Sequence, residues 1–141
     1  MWKKQASWYF LAFGFSFIVI GLFAFLRTLL GDPGIPKEIY DAQARPFAQP
    51  VQKAQTDSSG YRLCSECNVY LTRDREHCEL CNCCIDDPDH HCVFYSKCIG
   101  GGNVMYFRLS MLMFVVNMTY FIVVYGVVSV HSANQLKHHK L

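Results

Sequence analysis

Two runs without a single charged side chain, Trp8 to Leu26 and Leu109 to Val130, limit what this chain can fold into more than any other feature. They are 19 and 22 residues long. At about 1.5 Å rise per residue, each reaches the roughly 30 Å of a hydrocarbon core. A lone segment in lipid can satisfy its backbone only as a helix. The remaining polar chain is too short to bury two such helices on all sides, so transmembrane helices are expected. Lys3 and Lys4 could open a signal peptide, but the first run exceeds the usual apolar length. Arg27-Thr28-Leu29-Leu30 also offers no small-residue cleavage pattern, which predicts a retained anchor.

Between the runs lie all eight cysteines, from Cys64 to Cys98, and three of the six histidines. In a reducing compartment such a cluster reads as metal ligands, and in an oxidising one as a disulfide framework. The interspersed histidines favour metal, and metal favours the cytosolic face. Charge does not decide orientation. Lys3, Lys4, Lys137 and Lys140 stand on the tails, against Arg27, Lys37, Arg45, Lys97 and Arg108 on the loop side. A net charge of +2 gives no reason to expect nucleic acid as a partner.

Structural zinc takes four ligands from cysteine and histidine, often as Cys-x2-Cys pairs. Cys64 and Cys67 make one pair, and Cys78 and Cys81 a second; His77, Cys84, His91 and Cys98 supply four more donors. Eight donors suffice for two closed Cys3His sites. This leaves Cys83, His90 and Cys92, with Cys83 expected to be a spare thiol. A thiol reacts as its thiolate and needs a base or cation nearby. His90 can take the proton from Cys92 while Asp89 holds the imidazole. Alternatively, Asp89 orients a zinc-bound histidine from outside the metal shell.

The order Cys64-x2-Cys67-x9-His77-Cys78-x2-Cys81-x2-Cys84-x4-Asp89-His90-His91-Cys92-x5-Cys98-x4-Asn103-x3-Phe107 resembles the cysteine-rich domain of the DHHC protein S-acyltransferases, the palmitoyltransferases. Asp32-Pro33-Gly34 resembles that family's Asp-Pro-Gly motif. The resemblance implies interleaved zinc sites, Cys64, Cys67, His77 and Cys84 holding one ion and Cys78, Cys81, His91 and Cys98 the other. It implies that Cys92 is acylated from a long-chain acyl-CoA and passes the group to membrane-proximal cysteines of protein substrates. His90 is then the base and Asp89 its orienter. It also implies a cytosolic domain against membrane lipid, here assigned to an endomembrane of the ER or Golgi. The chain departs from the family at Val93-Phe94, where Pro-Trp is usual, and at Ser96-Lys97, where Asn-Asn is usual. The family has four or more membrane helices. With two, an acyl cavity awaits completion by pairing or by further helices. The alternatives are a non-catalytic, membrane-anchored zinc module that binds proteins and a thiol-disulfide oxidoreductase; the latter needs a redox pair within reach, and Cys81 with Cys83 or Cys83 with Cys84 are poor candidates because zinc claims the neighbours of Cys83.

The expected fold is a mainly α membrane protein, with two transmembrane helices flanking a small zinc-stabilised, cysteine-rich domain of short β-hairpins. Residues 1–30 hold a tail and the first helix, 31–60 a turn and linker with a short helix near Lys37 to Ala44. Residues 61–104 form the zinc domain, 105–131 the second helix and 132–141 a polar tail. Gly100-Gly101-Gly102 reads as a hinge. No internal repeat extends beyond the paired Cys-x2-Cys pattern. Gly14 and Gly21 with Ser16 on the first helix, and Asn117 and Thr119 on the second, predict helix-mediated self-association or an auxiliary subunit.

Overall fold

A computed structural model describes residues 2–43 and 61–138. Residues 44–60 of the turn and linker expected over 31–60 lie outside these. Helix α1 runs Trp2–Leu30, α2 Lys37–Gln43 and α3 Val104–His138. Among the described residues, six short strands come between α2 and α3: β1 Arg62–Leu63, β2 Tyr70–Leu71, β3 Arg75–Cys78, β4 Cys83–Asp86, β5 Pro88–Cys92 and β6 Lys97–Gly100. Two helices are thus long and apolar enough to cross a membrane, over Trp8–Leu30 and Val104–Gln135. They are apolar on all sides and expose large hydrophobic side chains along their length, as lipid-facing helices do. Helix α3 continues through residues 132–138, where a polar tail begins in the sequence reading.

The chain divides into two compact units. The first joins residues 1–24 to 109–141 and is an antiparallel helix pair. Its seam uses every third or fourth residue of α1, the spacing of one helix face. Asn117 Nδ2 donates to Phe17 O at 3.3 Å and to Met113 O at 2.7 Å, and the Tyr120 hydroxyl donates to Phe10 O. Gly14 lies against the outer edge of the Tyr120 ring, and Gly21 faces Met113. The small-residue face expected to seek a partner is therefore occupied within the chain by α3. Ser16 and Thr119 are exposed and bond to carbonyls of their own helices, Phe13 O and Val115 O.

The second unit comprises residues 25–108. Its strands pair as three antiparallel hairpins, β1–β2, β3–β4 and β5–β6. Opposite partners are Leu63 and Tyr70 in the first, His77 and Cys84 in the second, and His91 and Cys98 in the third. Each pair lies fourteen residues beyond the one before. The turns repeat at the same interval, since Asn68, Asn82 and Ser96 carry φ of 58°, 49° and 49°. Asparagine tolerates this left-handed conformation better than most residues. A fourteen-residue repeat thus extends beyond the paired Cys-x2-Cys pattern, to which the sequence reading had confined it. It escapes notice because the third copy keeps only one cysteine in its turn. The cysteine pairs straddle the turns, with Cys78 the last residue of β3, since a Cys-x2-Cys pair must fold back to aim both sulfurs at one point.

Asp32 anchors the turn after α1. Its Oδ1 accepts the Gly34 and Ile35 N–H groups, each at 2.8 Å, and its Oδ2 accepts the Tyr40 hydroxyl at 2.9 Å. Burial would raise this carboxyl, but the Ile35 and Gly34 amides, Tyr40 and Lys97 together hold it below the ordinary aspartate value. Gly34 adopts φ 111°, which its lack of a Cβ permits. The backbone of 100–102 crosses this turn closely: Gly102 N donates to Pro33 O at 3.3 Å and Gly101 N to Asp86 O at 3.4 Å. The glycine run is therefore a packed crossing and not a hinge. A Cβ on Gly100 would stand 2.5 Å from Pro33 O. Asn103 follows as the fully buried N-cap of α3. Its Oδ1 accepts Gly100 N at 2.9 Å, and its Nδ2 donates to Cys98 O and Thr28 O. Lys97 donates to Leu29 O and Gly31 O, capping the carbonyl end of α1.

Candidate metal and catalytic site

The knuckle of each of the first two hairpins meets the strand pair of the next. Cys64 and Cys67 converge with His77 and Cys84, while Cys78 and Cys81 converge with His91 and Cys98. In each group the four donor atoms lie within 4.8 Å of one another. His77 Nδ1 stands 3.4, 3.4 and 3.7 Å from the sulfurs of Cys64, Cys67 and Cys84. His91 Nδ1 stands 3.6, 3.3 and 3.8 Å from those of Cys78, Cys81 and Cys98. A tetrahedral zinc with its usual bond lengths sets sulfur–nitrogen separations of about 3.6 Å. Three sulfurs around one imidazole nitrogen match that shape, whereas one N–H could serve only one of them. The donors therefore fit the ion.

The electrostatics of the thiols agree. Burial, then the neighbouring cysteines, push the Cys84 and Cys98 thiols far up, so sulfurs this close together need a cation to carry their charge. The first cysteine of each pair differs. Although burial opposes it, Cys64 is drawn down by the N–H groups of Cys67 and Glu66, and Cys78 by those of Cys81 and Leu80. Cys83 stays outside both groups. Burial, then the charges of Cys67 and Cys81, push its thiol up to about 11, and its S–H turns to Cys84 O at 3.4 Å.

Strand β5 separates the two adjacent histidines. Alternation sends His91 to the metal group and puts His90 on the face it shares with Cys92. His90 Nδ1 lies 3.0 Å from Asp89 Oδ2. A proton on Nδ1, directed at the carboxylate, leaves Nε2 as an acceptor. The His90 ring also meets Phe107 edge-on, with centroids 5.1 Å apart. Cys92 is buried with Tyr95 and Ile99, and Phe107 and Val104 pack against that cluster. Tyr95 in turn contacts Phe25, near the end of α1, at 5.1 Å. The thiol thus lies among apolar side chains while its neighbouring imidazole is half-exposed.

Sequence reasoning named all eight donors and the Asp89, His90 and Cys92 set, and the structure brings each metal group together. It missed Tyr95, Lys97 and the buried bonds of Asn103. The fourteen-residue spacing is the signal that would have marked Tyr95. Arg75 is a further structural anchor: its guanidinium bonds both carboxylate oxygens of Asp86, at 2.6 and 3.3 Å, and closes hairpin β3–β4.

The family described as DHHC palmitoyltransferase matches residues 57–141. Among curated proteins, the chain is similar to palmitoyltransferase ZDHHC13 of Homo sapiens, 34% identical over 67% of this chain and 15% of that protein. It is similar to palmitoyltransferase ZDHHC17 of Rattus norvegicus, 32% identical over 74% of this chain and 16% of the relative. It is also similar to palmitoyltransferase ERF2 of Candida glabrata, 28% identical over 64% of this chain and 31% of the relative. The chain therefore spans between 15% and 31% of these relatives' lengths.

Proposed function

The chain belongs to the DHHC palmitoyltransferase family, and on that premise we propose that it transfers a long-chain acyl group from acyl-CoA, through acyl-Cys92, to cysteines of membrane-associated proteins. The observation that carries this reading is the division of labour on β5: His91 joins three sulfurs while His90 keeps its ring for Asp89. Zinc fits both donor groups. When bound it supplies rigidity, holding hairpin to hairpin so that a small domain can fix a reactive side chain.

Each half-reaction is a thioester exchange. His90 Nε2 takes the Cys92 proton, the Cys92 sulfur bonds to the acyl carbonyl carbon, and the carbon–sulfur bond to CoA breaks. The proton passes from His90 to the departing CoA thiolate. In the second half a substrate cysteine gives its proton to His90 and takes the acyl carbon, and Cys92 recovers the proton as its own bond breaks. Asp89 keeps the imidazole in the tautomer that can do this. The apolar neighbours of Cys92, namely Tyr95, Ile99 and Phe107, suit an acyl chain and exclude water that would hydrolyse the thioester.

We place residues 61–104 on the cytosolic face of an ER or Golgi membrane, where reduced thiols remain available to metal. Labelling of exposed thiols from the lumenal side alone would contradict that placement. The test of activity is incubation of purified protein with labelled long-chain acyl-CoA. A hydroxylamine-sensitive label on Cys92, lost in Cys92→Ser with metal content unchanged, is the expected result. The burial of Cys92, at 7% exposure, favours a second reading, a non-catalytic zinc module that binds proteins. Folded, metal-loaded protein that takes no label, or takes it equally in Cys92→Ser, would leave that second reading in place.

A further inference from the structure

The third hairpin repeats the frame of the two whose turns hold metal donors. Its turn spans Cys92 to Ser96 as the others span Cys64 to Asn68 and Cys78 to Asn82, and all three end on a left-handed residue. In this frame Cys92 stands where Cys64 and Cys78 stand. Tyr95 takes the place of Cys67 and Cys81. The register of the pairs nearest each turn is the same in all three, and β5–β6 departs from it only through a shift between Pro88 and His90. One difference is local: the third turn closes through Tyr95 N to Cys92 O and Ser96 N to Val93 O, both 3.2 Å, where the first closes through Asn68 N to Cys64 O at 2.9 Å.

The metal groups form a series. Each takes two cysteines from one turn and a histidine and cysteine from the next hairpin, fourteen residues on. Continuing the series from Cys92 and Tyr95 leads to Met105 and Leu112, which lie in α3 and offer no thiolate or imidazole. Something other than metal must therefore hold the third turn. Tyr95 is only 4% exposed and shares its buried cluster with Cys92, so both side chains point to the same side, as a knuckle pair does. Its ring packs on Phe25 at 5.1 Å and on Phe107 at 5.8 Å. Aromatic packing occupies the place of metal–sulfur bonds.

We propose that β5–β6 is a third metal-knuckle frame in which Tyr95 replaces the second thiolate, and that Tyr95 is thereby the positioning residue that holds Cys92 in place with its sulfur uncommitted. The role of Cys92 as nucleophile rests on the function proposed above; the equivalence of the frame does not. The corresponding sulfurs, Cys64 and Cys78, belong to metal groups and are committed to the ion while it is bound. In the third turn the sulfur is left available on the strand face that carries His90, which stands where Glu76 stands in the second hairpin. A frame built for two thiolates retains the capacity to bind a soft dication once the second sulfur is restored.

The test uses the full chain, kept reduced, with cadmium as the probe, and three substitutions. Tyr95→Cys should bind about one further metal ion per chain when cadmium is added. In that variant the added cadmium should protect Cys92 from alkylation, while wild-type Cys92 stays reactive. Tyr95→Phe should form acyl-enzyme faster than Tyr95→Ala, because it keeps the ring contacts with Phe25 and Phe107. Tyr95→Ala should slow acyl-enzyme formation by roughly tenfold to a hundredfold, the cost of misplacing a reacting group, with the metal content of the two donor groups retained. Unprotected Cys92 in Tyr95→Cys would overturn the frame. Normal acylation by Tyr95→Ala, or loss of its metal, would overturn the positioning role. If wild-type protein takes no label at Cys92, the proposed function falls, and the cadmium result still decides the frame.

Discussion

His90 and His91 are adjacent in sequence and turn to opposite faces of β5, the first 3.0 Å from the Asp89 carboxylate and the second within 3.8 Å of three cysteine sulfurs. One peptide unit thus separates a side chain suited to proton transfer from one suited to holding metal.

Substituting each should give different losses. His90→Ala should slow acylation about 10²-fold or more, the range for a positioned base, with full metal content. His91→Ala should lose metal from its group and with it the order of hairpin β5–β6. Metal analysis beside acylation kinetics separates the two, and equal metal loss in both would mean that the roles are misassigned.

Removal of metal should undo the hairpins and spare the membrane helices. Structural zinc is worth on the order of 10 kcal/mol to a small domain. A strong chelator, or His77→Ala, should expose the thiols of residues 61–104 to alkylation while the far-ultraviolet helical signal persists. Well-ordered hairpins in metal-free protein would contradict the role given to both donor groups.

Acid should weaken the Asp32 turn specifically. The carboxyl is held below its ordinary value in the fold, so its charge stabilises the fold above the unfolded value of about 3.9. That contribution is lost as pH falls through the lower folded value. Asp32→Asn should therefore be less stable than wild type at neutral pH, and the gap should close towards strongly acid pH. A gap independent of pH in denaturation experiments would show that the charge is immaterial.

Two glycines should differ in their tolerance of a methyl group. At Gly100 the added Cβ would meet the Pro33 carbonyl at 2.5 Å and Ile85 at 2.8 Å, so the backbone itself must move. At Gly14 it would meet the outer edge of the Tyr120 ring, which can swing away. Gly100→Ala should cost about 3 kcal/mol and Gly14→Ala about 1 kcal/mol, both from overpacking. Comparing the two variants by denaturation in detergent tests the order.

The eight metal donors were legible because metal chemistry constrains residue type and spacing together. The helices were legible because lipid constrains composition over a long run. What the sequence concealed was pairing set by contact. The Gly100 to Gly102 run has the composition of a hinge, and only the proximity of Pro33 and Asp86 makes it a packed crossing. Gly14 and Gly21 have the pattern of an association face, yet nothing in their own helix says that Tyr120 and Met113 would fill it. Tyr95 looked like an ordinary aromatic residue until the register of three hairpins gave it counterparts.

Hairpin β3–β4 contributes donors to both metal groups, whereas β1–β2 and β5–β6 each contribute to one. Injury to the two groups would therefore not be equivalent. Oxidation of Cys64 or Cys67 frees the hairpin farthest along the series from Cys92. Oxidation of Cys78 or Cys81 severs the clasp that joins the strand bearing Cys92 to the preceding hairpin. An oxidant acting on this chain would be graded in its consequences by which pair it reached first.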